Sequence, residues 1–227
     1  MKLISLLLIL LLPILVRGQQ ETRTILETGK VFIYQAVYKD KNGNALSDRL
    51  VRMIPTDERY PLEPARQFLV RYEYGDYRED SIKLDNRINP ELQNWTTSMI
   101  EGVIDNGKEY WIHPIRQNQY KFTEVAPFPQ VSLPIDERTK GKTTLFVDEG
   151  WGEWANKKVK SKRKLIGKST FSLSGKTIDC WQFFAKSRAS FGKSQILYKF
   201  SDEYGFVEMK YENYKQETLV FTLIEVK

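Results

Sequence analysis

The sequence predicts a mainly β protein: a curved antiparallel sheet or incomplete β-barrel with at most one or two short helices. Short segments rich in β-branched and aromatic side chains recur from Lys30 to the C-terminus, separated by Gly, Asn and Asp at short, regular spacing. Asn42-Gly43 and Asn106-Gly107 supply the positive φ that tight hairpin turns require. Between two groups of such segments lies WIHPIRQNQYKFTEVAPFPQVSLP, Trp111 to Pro134, with four of the nine prolines and the only histidine. Prolines withhold backbone donors, so this stretch reads as a rigid extended crossing along a sheet edge or between sheets.

In order along the chain, Met1 to Gly18 reads as a secretory leader. Lys2 gives a positive start, Leu3 to Val16 an apolar run, and Val16 and Gly18 the modest residues of a cleavage site, which predicts a mature N-terminus at Gln19. The run is shorter than the roughly 20 residues of a spanning helix and contains Pro13. Residues 19–227 are expected to form a single β-rich domain. With Cys180 as the only cysteine, no internal disulfide supports it, so burial must.

Lys30 to Tyr38, KVFIYQAVY, is the first strand, and its two largely apolar faces predict cover on both sides. The chain returns through Arg49 to Ile54, where Pro55, Pro61 and Pro64 break the pattern, and resumes at Arg66 to Tyr74. Ser81 to Leu84 is a weaker strand, and Asn89-Pro90-Glu91 reads as the start of a short helix. Thr96 to Asp105 and Lys108 to His113 form a hairpin around Asn106-Gly107. Beyond the crossing, strands are expected at Lys142 to Val147, Trp154 to Ile166, Ser169 to Leu173, Thr177 to Ala185, Ser194 to Phe200, Phe206 to Tyr214 and Glu217 to Val226. Gly167, Ser174-Gly175, Gly192 and the run Asp202 to Gly205 mark the turns, and the whole reads as an antiparallel meander.

Without the leader the chain has 33 basic and 29 acidic residues, and the excess is local: Lys157, Lys158, Lys160, Lys162, Arg163, Lys164 and Lys168 lie within twelve residues. Such a run reads as a solvated hairpin whose lysines protect against edge pairing. The same residues from Lys157 to Lys164 could rest on an anionic envelope surface. Export and the slightly acidic remainder argue against a nucleic-acid partner.

Catalytic signatures are sparse. His113 is a single imidazole with neither a second His nor a cysteine nearby in sequence, so no metal site is expected, and a histidine bonded to loop backbone is the plainer reading. Cys180 in TIDCWQFF reads as buried, and Ser190 lacks the Gly-x-Ser-x-Gly setting of an exposed nucleophile. Glu149 and Glu153 in VDEGWGEW resemble the paired carboxylates of a glycosidase, although a loop does not fix their separation. Asn94-Trp95-Thr96 is a formal glycosylation sequon.

WIHPIR, EVAPFPQVSLP, GWGEW, IDCW, SFGKS and FSDEYGFVEMKY together resemble a group of uncharacterised proteins exported by Gram-negative bacteria. In that group the first motif commonly reads His-Pro-Pro-Arg, so His113, Pro114 and Arg116 match and Ile115 departs. The resemblance runs in scattered blocks from Lys30 to Val226 and implies kinship rather than an activity. In outline the plan is also similar to the curved half-barrel of the periplasmic lipoprotein carriers, a likeness of architecture only.

These readings favour an exported protein, periplasmic or extracellular, that binds without catalysis and without a cofactor. The expected partner is a lipid or other amphiphile on the concave face. Trp111, Trp151 and Trp154 would form the walls, beside His113, and Arg116 would meet an anionic headgroup. The alternatives are an envelope glycan hydrolase using Glu149 and Glu153, and a structural envelope subunit.

Overall fold

Among the described residues twelve strands, most with one dry and one wetter face, make one antiparallel sheet. The computed structural model describes residues 24–63, 66–75 and 96–227. The leader, the Ser81 to Leu84 strand, the helix start at Asn89 and Asn94 of the sequon lie outside the described residues. The first group of strands is β1 (Phe32–Lys39), β2 (Ala45–Arg59), β3 (Phe68–Glu73), β4 (Ser98–Asp105), β5 (Glu109–Ile112) and β6 (Gln130–Ser132). The second is β7 (Lys140–Phe146), β8 (Lys158–Leu173), β9 (Lys176–Ala189), β10 (Gly192–Ser201), β11 (Gly205–Glu212) and β12 (Thr218–Val226). Two 3-10 helices, Asn118–Val125 and Glu149–Trp154, complete the described structure. The expected fold class is therefore the observed one.

The strand order is β6-β5-β4-β3-β2-β1-β12-β11-β10-β9-β8-β7. The first and last strands pair at its centre, and the sequence neighbours β6 and β7 lie at its opposite edges. That order forces curvature. Twelve strands laid flat span about 53 Å at about 4.8 Å per gap. The chain from Ser132 to Lys140 reaches at most roughly 29 Å at full extension. The edges must therefore approach, and the sheet curls into a half-barrel with an open seam between β6 and β7.

The inner face carries the core. In β1, Phe32, Tyr34, Ala36 and Tyr38 are buried, as are Ile196, Tyr198 and Phe200 in β10 and Leu219, Phe221 and Leu223 in β12. The opposite face of β1 is covered only at Ile33; Gln35 is exposed and Val37 half-buried. Two-sided cover, expected from KVFIYQAVY, is thus corrected: the outer face of the half-barrel meets water, as one face of an antiparallel sheet commonly does.

Other corrections come from tertiary pairing overriding local signals. β2 continues through Pro55, opposite Val70, and its register breaks between Pro55 and Arg59, where a bulge tolerates the missing donor. The expected strands on either side of Gly167 are one strand, β8, with Ile166 extra at a bulge between Leu165 and Gly167. Trp154 belongs to the second 3-10 helix and not to a strand. The crossing from Trp111 to Pro134 is not extended throughout, because its middle coils into the 3-10 helix Asn118–Val125. That helix lies within the half-barrel. Phe122 stacks on Tyr38 at 5.7 Å and meets Tyr211 edge-on at 6.2 Å, while Tyr120 packs on Phe221 at 5.6 Å. A loop with so much apolar surface finds burial by filling the hollow of the sheet, and much of the concave face is packed by the chain's own side chains.

Tight turns set the strand ends. Gly205 joins β10 to β11 at φ +71°, and a Cβ there would lie 2.6 Å from Cζ of Tyr110, itself fully buried against Phe200 and Phe206. Gly205→Ala combines left-handed strain with overpacking and is expected to cost about 2–5 kcal/mol. Urea denaturation of the variant beside the wild type measures it.

Candidate functional site

Where the half-barrel fails to close, a cleft of about 190 Å³ remains between the crossing and the strands on both sides of the seam. Its apolar walls include Trp111 of β5, Phe128 of the crossing, Leu145 of β7, Val159 of β8 and Ala185 of β9. Gln130, Thr143, Thr144, Ser161, Lys162 and Arg163 supply polar groups at its border, and Arg163 of β8 is the most closely held of them. Its guanidinium passes over Gly141 of β7, where a Cβ would come within 2.7 Å of Cζ, so a side chain there would displace the guanidinium. Arg163 then reaches across the seam: Nη1 donates to Oε1 of Gln130 on β6, and Nη2 to Oγ of Ser132 at 3.5 Å. Gln130 is fixed in turn by donating to Glu109 and by accepting at its carbonyl from Tyr198 Oη at 2.7 Å. The Nε of Arg163 is buried with no acceptor among the described residues. An arginine in a mostly apolar cleft with a donor to spare suits a ligand that carries a hydrocarbon part and an anionic or acceptor group.

The expected ligand residues divide into two groups. Of Trp111, His113, Arg116, Trp151 and Trp154, only Trp111 lines this cleft. His113 and Arg116 belong to a buried ionic cluster behind it. Arg116 donates through Nε and Nη2 to the two oxygens of Glu101 at 2.7 and 3.2 Å, and through Nη1 to Glu124 at 3.0 Å. Its fork is occupied by carboxylates of β4 and of the first 3-10 helix, so it does not receive an external headgroup as the sequence reading expected. Burial pushes Glu101 up to about 7, with Glu124 adding to the shift and Arg116 opposing it, and burial raises Glu124 as well. One guanidinium faces two carboxylates, so a proton retained by one of them balances the charge.

His113 shares that cluster as a neutral ring. Its Nδ1 lies 3.1 Å from the carbonyl of Pro114, which assigns the proton to Nδ1, and Nε2 lies 3.7 Å from Glu124. Burial and then Arg116 push its pKa down to about 3. The expectation of a histidine bonded to loop backbone is met. His113 also packs on Phe128 at 4.6 Å and on Trp111 at 5.8 Å, so the ionic cluster braces two walls of the cleft. Trp151 covers the other side, 5.6 Å from the Arg116 guanidinium, while the buried Trp154 donates from Nε1 to Tyr214 Oη at 3.2 Å. Both tryptophans are packing elements and not cleft walls.

No family model matches this chain, and no curated protein matches it. Among solved structures, one named as a lipoprotein, from Parabacteroides distasonis, superposes with a TM-score of 0.51 at 10% identity over 92% of this chain and 100% of its own. The half-barrel is a shared fold. Two others are similar at lower scores. A Bacteroides fragilis protein named as exported, with a YmcC-like fold, gives 0.46 at 9% identity over 90% of this chain and 98% of its own. The hypothetical lipoprotein YmcC from Escherichia coli gives 0.40 at 8% identity over 90% and 89%. The resemblance to exported proteins of Gram-negative bacteria is thus met at the level of fold, and at such identity the fold carries no activity with it.

The remaining candidates fall into place on this frame. Neither Glu149 nor Glu153 lines the cleft; both are exposed on the second 3-10 helix, where Glu153 accepts from Tyr214 Oη at 2.9 Å. Cys180 is buried in β9 and its thiol is pushed up to about 11, chiefly by burial, which is the opposite of nucleophile activation. Among the described residues no cluster of metal-ligating side chains occurs. The basic run is a strand and not a hairpin. Lys158, Lys160, Lys162 and Lys164 are exposed on its outer face, Val159, Ser161, Arg163 and Leu165 turn inward, and Lys157 is exposed just before it. Arg163 therefore leaves the expected anionic-surface group and joins the cleft. The period-2 pattern of KVKSKRKL already separates it from the lysines, a signal that counting charges overlooks. Glu101 was missed although it shares a parity with the buried Val103 and Asp105 in SMIEGVID.

Proposed function

We propose that this chain is a binding or carrier-type protein of the cell envelope that holds part of an apolar or amphiphilic molecule in the seam cleft. The observation that carries the reading is the cleft itself: a lining with seven apolar residues beside an arginine with an unfilled donor. A volume of about 190 Å³ is below the roughly 300 Å³ at which pockets enclose a whole drug-sized ligand. The cleft suits one segment of an amphiphile, with the rest lying along the open seam. The leader pattern of residues 1–18 supports export, and the Parabacteroides protein of the same fold is named as a lipoprotein.

Decanoate is a fitting probe. It is expected to change tryptophan fluorescence through Trp111, and Arg163→Met is expected to weaken decanoate binding at least tenfold while leaving decanol nearly unaffected. Leu145→Trp, which fills the cleft at a half-buried edge position, is expected to abolish both. Binding that survives Leu145→Trp unchanged, or no binding by the wild type, overturns the reading.

A further inference from the structure

We infer that the outer face of β7 to β10 is a docking surface for an anionic phospholipid membrane. The register places like charges directly opposite one another across several strands. Lys140 of β7 faces Lys164 of β8, and Lys142 faces Lys162, which faces Lys186 of β9. Lys160 faces Arg188 of β9, which faces Lys193 of β10. All these side chains are exposed, and none is ion-paired with a carboxylate among the described residues. The acid that ends the second row, Glu212, stands two strands beyond Lys186 and is bound by Gln195 at 3.0 Å.

Neighbouring strands lie about 4.8 Å apart, and like charges opposite one another destabilise a sheet. A few lysines suffice to keep an edge strand from pairing, but that purpose does not account for cations on β9 and β10, which are inside the sheet. The array is a cost to the isolated fold that an anionic surface would offset. Two features favour a membrane over a hydrated polyanion. Phe146, 66% exposed, sits opposite Lys158 at one end of the array with its ring 5.0 Å from the ammonium, and Ile166, 51% exposed, stands at the bulge at the other end. Cations flanked by exposed apolar side chains are the composition of surfaces that rest in the headgroup layer, where the apolar groups gain burial that a sugar polymer does not offer. Of these residues only Lys162 also borders the cleft, and neither Lys160 nor Lys186 does, so the docking surface can be tested apart from what the cleft holds.

The test is sedimentation with vesicles of 30% phosphatidylglycerol in phosphatidylcholine, against phosphatidylcholine alone. Binding is expected only to the anionic vesicles, with affinity falling steeply between 50 and 500 mM salt as the charges are screened. Lys160→Glu with Lys186→Glu sets each new acid opposite a cation, Arg188 and Lys162. That double variant is expected to bind at least tenfold more weakly while melting at the same or a higher temperature. Phe146→Ser with Ile166→Ser is expected to weaken vesicle binding severalfold and to leave binding to heparin unchanged. Vesicle binding unaltered by the double glutamate variant overturns the inference. So does equal binding to heparin and vesicles together with indifference to the serine variant, which would make the face a general polyanion site.

Discussion

Arg116→Met is expected to destabilise the protein by about 3–5 kcal/mol, because it leaves two buried carboxylates without their cation. Arg116 makes three hydrogen bonds to Glu101 and Glu124, and the two acids belong to different parts of the fold, β4 and the 3-10 helix inside the half-barrel. Removing the guanidinium therefore also loosens the helix from the sheet. The effect should depend on pH. Glu101 is held at about 7 in the folded protein, above its ordinary value of 4.5, so its contribution is fully present below 4.5 and is lost as pH rises through 7. His113 is held at about 3, below 6.5, so its contribution is present above 6.5 and is lost as pH falls toward 3. Between 4.5 and 6.5 the two slopes oppose one another. Without Arg116 the carboxylates hold their protons more strongly, so the destabilisation relative to wild type should be larger at pH 8 than at pH 5. Urea denaturation at the two values measures it, and an equal loss at both would show that the cluster is not electrostatically coupled.

Asp105→Ala is expected to cost about 3 kcal/mol through the loss of a buried hydrogen-bond hub. Asp105, at the end of β4, is fully buried, and its carboxylate accepts from the backbone amides of Thr24, Ile25 and Leu26 at 3.0, 2.7 and 2.8 Å and from the Thr24 hydroxyl at 2.7 Å. Three successive amides converging on one carboxylate dock the residues that precede β1 onto the far side of the first group of strands. Ile25 and Leu26 are buried there. The alanine variant should lose amide-exchange protection at Ile25 and Leu26 before the rest of the sheet. Asp105→Asn keeps one acceptor oxygen and should lose about half as much. Undiminished protection at those amides in the alanine variant would refute the role.

How much of this was legible follows from the range of the interactions. The Asn106-Gly107 hairpin was readable because its cause is local: Gly107 takes φ +73°, and Asn106 Oδ1 accepts from the amides of Lys108 and Glu109. The first turn is similar, with Asp40 accepting from the amides of Asn42 and Asn44 around Gly43. The alternation that gives each strand a dry and a wet side is also local, and it determined the mainly β class and the antiparallel meander. It also held the information that Arg163 turns away from its neighbouring lysines.

Only the tertiary structure decided how those pieces close. That β1 pairs with β12, and that the short link between β6 and β7 draws the edges together, depends on register between residues almost two hundred positions apart. The crossing became a packed 3-10 helix because the hollow of the curled sheet offered Tyr120 and Phe122 more burial than an extended edge could. Arg116, with five donors, looks in sequence like a ligand anchor; whether those donors are free depends on where Glu101 and Glu124 fall, and burial drives the three together because an unpaired charge there would be prohibitive. Strand and turn chemistry were thus determined by neighbours in the chain. The cleft, the filled concave face and the occupied arginine were determined by which surfaces the closing sheet brought into contact.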